Sequence, residues 1–121
     1  LEHRRQRQMC IRDSTYTLNG QLDISKSYNW DELMKMQADF GKRIKGTVGV
    51  DFHEIIVDGN KAVVFATGKM EGVGGKYEND YALKYELDED GKILSTREWL
   101  SDILFATQMY GLEICGEKKA L

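Results

Sequence analysis

The sequence predicts an α+β fold, a curved antiparallel sheet wrapped on one side by helices. Three observations predict it. Residues 76–87 alternate strictly, with Tyr77, Asn79, Tyr81, Leu83, Tyr85 and Leu87 on one face and Lys76, Glu78, Asp80, Lys84 and Glu86 on the other. That period of two belongs to a half-buried antiparallel strand. Glycine-bearing turns at Asp58-Gly59-Asn60, Gly72–Gly75 and Asp88–Gly91 separate β-prone runs at hairpin spacing. One amphipathic stripe of helical period, Leu33, Met36 or Gln37, Phe40 and Ile44, precedes them.

The chain opens on a segment unlike the rest. Arg4, Arg5, Arg7 and Arg12 follow no apolar period, and Arg4–Ser14 resembles the conceptual translation of a sequencing adapter. Residues 1–14 are therefore expected to be a non-native, disordered basic leader, with native sequence lost upstream of Thr15. Thr15–Leu18 is β-prone and Gln21–Tyr28 reads as loop. Asn29 opens a helix, because its side chain can accept from the free amides of the first turn while Glu32 reaches back. Gly41 and Gly46 weaken and then end that helix. Thr47–Val57 is the next strand, and its alternation slips across Glu54–Val57, which predicts a bulge. Lys61–Glu71, Lys76–Leu87 and Lys92–Leu100 complete a four-stranded meander. Ser101-Asp102 stands where a helix cap is expected, and Asp102–Tyr110 forms a short helix. The domain thus spans 15–112, with 113–121 a frayed tail.

Composition narrows the partners. Of 17 Lys and Arg and 20 Asp and Glu, four and two fall in residues 1–14, so the remainder carries 13 against 18, a net of −5. An acidic domain without a clustered basic face argues against nucleic acid and anionic membrane. No run approaches the roughly 20 apolar residues of a membrane helix. Cys10 belongs to the leader, which leaves Cys115, in the tail, as the one thiol outside it. A single thiol fits a reducing, cytoplasmic setting, and no His or Cys spacing supplies a metal site.

Three local runs carry a resemblance: Val57-Asp-Gly-Asn-Lys-Ala-Val63, Tyr77-Glu-Asn-Asp-Tyr81 and Asp90-Gly-Lys-Ile-Leu-Ser-Thr-Arg-Glu-Trp-Leu100. In order and spacing they resemble the SnoaL-like, ketosteroid-isomerase-related branch of the nuclear transport factor 2 superfamily, over Thr15 to about Gly111. The resemblance implies a cone: a strongly bent sheet closed by helices around an apolar pocket for a small apolar, carbonyl-bearing molecule. It implies cofactor-free proton transfer of the isomerase, cyclase or hydrolase kind, and homodimers that pair through the sheet. The alternative is a non-catalytic module for ligand binding or homodimerisation. Two departures stand out. The family places two helices before its first strand, where this chain has the leader. Its Arg-Glu-Tyr-x-Asp run puts an acid where this chain has Ser101, with Asp102 one residue later.

A carboxylate in an apolar cavity has its pKa raised and can move protons near neutrality. Glu98 and Asp102 are the candidate bases. Asn79 and Tyr81 would polarise the substrate, Arg97 would orient it, and Tyr77 and Trp99 would contact it. The parity of Lys92–Leu100 is open. Either Arg97 and Trp99 face inward, or Thr96, Glu98 and Leu100 do.

Overall fold

The computed structural model describes residues 14–116. The predicted leader up to Asp13 and the tail beyond Gly116 lie outside the described residues. The elements are β1 (Thr15–Leu18), β2 (Ser27–Tyr28), α1 (Trp30–Arg43), β3 (Lys45–Asp58), β4 (Lys61–Gly72), β5 (Gly75–Leu87) and β6 (Ile93–Trp99). A single helical turn, α2 (Asp102–Leu104), then widens into π-type turns over Phe105–Met109. The six strands form one sheet in the order β2-β1-β6-β5-β4-β3.

Strands β3 to β6 are the predicted meander, paired antiparallel throughout. The sheet as a whole is mixed, and this corrects the all-antiparallel expectation. β1 runs parallel to β6, from Thr15 opposite Ser95 to Leu18 opposite Glu98. Ser27-Tyr28, expected as loop, is a short strand antiparallel to β1. Four β-prone residues carry no signal for a partner so distant in the chain.

Helix α1 starts as its first residues dictate. Asn29 Oδ1 accepts from Glu32 N at 2.9 Å, and Glu32 Oε1 accepts from Asn29 N at 3.1 Å, so two otherwise orphaned amides are satisfied. Asp31 and Glu32 in the first turn and Lys42 and Arg43 in the last complement the helix dipole. The slip expected in β3 is a bulge between Phe52 and Glu54. Asp88 builds the β5–β6 turn by accepting from the amides of Asp90 and Lys92, both at 2.9 Å.

The β4–β5 hairpin tip docks on the C-terminal turns. Gly74 N donates to Gln108 O at 2.8 Å, and a Cβ on Gly74 would overlap the Thr107 carbonyl oxygen. Behind this contact sits the core cluster of Tyr77, Phe105 and Met109. Phe40 from α1 stacks on Phe105 at 5.5 Å between centroids, and Tyr77 meets Phe105 edge-on at 6.1 Å. α1, β5 and the C-terminal turns therefore converge at one end of the sheet. The far edge differs, because β3 is exposed along all 14 of its residues. Among the described residues no helix is long and apolar enough to cross a membrane.

Candidate functional site

One face of the sheet and one side of α1 border a half-open cavity of about 360 Å³. Its wall is mostly apolar. Leu18 of β1, Met36 and Phe40 of α1, Val50 and Phe52 of β3, Ala66 and Met70 of β4, Leu83 of β5, Leu100 and Phe105 all border it. The polar groups on the wall are those of Tyr16, Gln37, Tyr81, Tyr85 and Glu98.

Register explains which side chains arrive there. Tyr81 pairs with Ala66, Leu83 with Val64 and Tyr85 with Ala62 across β4 and β5. On the other side of β5, Leu83 pairs with Glu98 and Tyr85 with Thr96. Directly paired residues share a face, so Glu98 points inward with Leu83. Lys84 pairs with Arg97 and Ala82 with Trp99 on the outer face. The parity left open by the sequence is thus decided for Thr96, Glu98 and Leu100. Arg97 and Trp99 do not reach the cavity.

Among the described residues Glu98 is the one carboxyl on the cavity wall. Its main chain is pinned by β1, since Glu98 O accepts from Asn19 N at 2.9 Å and Asn19 Nδ2 at 3.1 Å. Its carboxyl oxygens have no hydrogen-bond or ion-pair partner among the described residues. Burial, with no charged neighbour contributing, pushes its pKa from the ordinary 4.5 to about 7.

Asp102, the second candidate base, lies outside the cavity. Its carboxylate accepts from Gln21 N at 2.7 Å and packs against Gly20, where a Cβ would overlap it. Ser101, not Asp102, caps α2, its Oγ accepting from Leu104 N at 3.4 Å. Asp102 therefore holds the β1–β2 connection, and the one-residue offset from the family pattern has its consequence here.

Tyr77 and Asn79 are buried behind the cavity wall, at 0% and 1% exposure. Asn79 Oδ1 accepts from Ser101 N at 3.0 Å, while its Nδ2 donates to Ser101 O at 3.1 Å and to Tyr77 Oη at 2.9 Å. Tyr77 Oη lies 2.6 Å from Tyr81 Oη. Of the three residues only Tyr81 borders the cavity. Burial raises the Tyr77 and Tyr81 phenol pKa values, and Tyr85's as well.

The sequence reading of Met36 as core or pocket lining agrees with its place on the wall, but it missed Gln37 and Phe40 there, and the role of Gly68. A Cβ on Gly68 would come 2.9 Å from the Tyr81 ring, so the glycine makes room for that ring. A lone glycine inside a strand is a signal for close approach and could have been read. A second, polar hollow lies on the outer face. There His53 Nε2 meets Thr67 Oγ1 at 2.6 Å, Thr67 donates to Asp80 at 2.6 Å, and Lys69 pairs with Asp51 at 2.8 Å. No group of three or more His, Cys, Asp or Glu among the described residues is arranged to hold a metal ion.

The sequence matches no family model and no curated protein. Its structure is similar to solved ones at low identity. An NTF2-like protein of unknown function from Burkholderia pseudomallei superposes with a TM-score of 0.68 at 15% identity, over 89% of this chain and 88% of that one. A Jannaschia protein bearing the name SnoaL-like polyketide cyclase gives 0.66 at 11%, over 84% and 74%. PrhC from Penicillium brasilianum gives 0.68 at 13%, over 77% of this chain and 65% of that one, so the match spans just under two thirds of PrhC's length. The fold is that of the NTF2-like and SnoaL-like proteins.

Proposed function

We propose that the cavity takes up a small apolar, carbonyl-bearing molecule and that Glu98 transfers a proton to or from the carbon beside the carbonyl. The observation that carries the reading is a solitary carboxyl in an apolar wall, poised by burial to change charge near pH 7. As carboxylate, Glu98 would take the proton, and the Tyr81 hydroxyl would donate a hydrogen bond to the developing enolate oxygen. Returning the proton to a different carbon is isomerisation, and attack of the enolate carbon on a second carbonyl is cyclisation. Neither step calls for a cofactor. Arg97 and Trp99 have no part in this chemistry, and Asp102 serves the β1–β2 connection.

Deuterium wash-in at the α-carbon of a panel of enolisable ketones tests the reading. Exchange should rise with pH through about 7 as Glu98 ionises, and should be lost in Glu98→Gln. Ketone binding without exchange would instead favour a binding module.

A second reading, homodimerisation through the outer face, has its own support. Phe65, Ala82 and Trp99 form one cross-strand row there, with Phe65 36% and Trp99 42% exposed. Sedimentation equilibrium of the wild type and of Trp99→Lys checks it, with a dimer expected in the first and a monomer in the second.

A further inference from the structure

The hydroxyls behind the cavity wall form a chain whose direction is fixed by the backbone. Ser101 contributes an N–H and a C=O to Asn79, at 3.0 and 3.1 Å. A backbone donor faces only an acceptor, and a backbone carbonyl only a donor. The amide of Asn79 is therefore held one way round, and its second Nδ2–H points at Tyr77 Oη, 2.9 Å away. The Tyr77 oxygen is thereby an acceptor, and its own hydrogen needs a partner in a site with 0% exposure. Among the described residues the acceptor in reach is Tyr81 Oη, at 2.6 Å. If Tyr81 donated instead, the Tyr77 hydrogen would be buried with nothing to bond, an arrangement native structures avoid. The chain thus runs Asn79 to Tyr77 to Tyr81, and the Tyr81 hydrogen is left for the cavity.

We infer that Asn79 and Tyr77 are positioning residues that make Tyr81 a one-way donor, so that the site selects ligands by an acceptor atom placed at Tyr81. This rests on the cavity being the ligand site, as proposed above. The chain also polarises each hydroxyl in turn, which strengthens the last donor. Gly68 takes part by leaving room for the Tyr81 ring. Ligands that could only donate at that point would meet a hydrogen rather than a lone pair.

Two probes of the same shape separate the possibilities: 2-acetylnaphthalene, which ends in C=O, and 2-isopropenylnaphthalene, which ends in C=CH2. Calorimetric titration should show the ketone binding about tenfold tighter, the size of one hydrogen bond. The infrared stretch of the bound, ¹³C-labelled carbonyl should lie below its value in hexane. Tyr81→Phe should abolish both the preference and the shift while keeping the hydrocarbon's affinity. Tyr77→Phe, which leaves Tyr81 in place, should give a shift between those two, an outcome that lost packing alone would not produce. Equal affinities and an unshifted carbonyl in the wild type overturn the inference and leave the cavity reading standing. A full shift in Tyr77→Phe overturns the role of Tyr77 and Asn79. If neither probe binds, the inference falls together with the cavity reading.

Discussion

Strands β5 and β3 have nearly equal lengths, 13 and 14 residues, and both carry apolar and aromatic side chains. Their environments are opposite. At the Tyr77 end of β5 the Asn79 amide and the Tyr77 hydroxyl are hydrogen-bonded, and the Tyr77 ring is packed with Phe105 and Met109. On β3, Phe52 is 72% and Val57 68% exposed, and one edge of the strand has no neighbour in the sheet. Apolar content alone does not place a residue in a core. Position in the sheet and what lies over it do. The same difference locates the cavity: the buried end of β5 supplies support, and the cavity opens between that support and the exposed strand.

Matched truncations give the largest contrast. Tyr77→Ala should cost about 4 kcal/mol in chemical denaturation, and Phe52→Ala less than about 1 kcal/mol. Similar costs at both sites would mean that β3 is covered in solution. Asn79→Leu should lose about 3 kcal/mol, because it strands the Ser101 amide and carbonyl. Glu98→Gln should act in the other direction. Glu98's raised pKa, about 7 against an ordinary 4.5, means the folded protein holds a proton that the unfolded chain has released. Stability from this group is full below about pH 4.5 and is lost as pH rises through about 7. The glutamine variant should therefore match the wild type at pH 4 and exceed it by on the order of 2–3 kcal/mol at pH 8. Denaturation at the two pH values checks this. Val57→Lys should change stability by less than about 0.5 kcal/mol yet reduce aggregation seen by light scattering, since it places a charge on an open edge strand.

Much of the fold was legible because its signals are local. The Asn29–Glu32 cap, the alternation of Lys76–Leu87, the three glycine turns and the slip in β3 each occupy a few adjacent residues. The place of β1 was not legible, because a parallel pairing with β6 depends on a partner at the other end of the domain. The site was legible in part. Glu98 and Tyr81 were named, but the facing of β6 could not be chosen when Thr96, Glu98 and Leu100 are as mixed in polarity as Arg97 and Trp99. The Leu83–Glu98 pairing chose it. Asn79 was expected on a pocket wall and stands one step behind it. A buried amide reads the same in sequence whether it meets a ligand or a backbone, and only the Ser101 contacts tell them apart. Asp102 was misplaced because it lies past the end of β6, where its carboxylate turns to the Gln21 amide beside Gly20.

The parallel seam between β1 and β6 bears on how the protein is made. Thr15–Leu18 is synthesised before strands β2 to β5, and its partner Ser95–Glu98 after them. Until then the early strand has only β2 to pair with, and a two-stranded ribbon is marginal in water. Closing so wide a loop is slow compared with forming the hairpins between. Strand β6 must therefore be made before Glu98 gains the Asn19 contacts that pin its main chain, so the acid of the cavity depends on a long-range pairing rather than on a local hairpin.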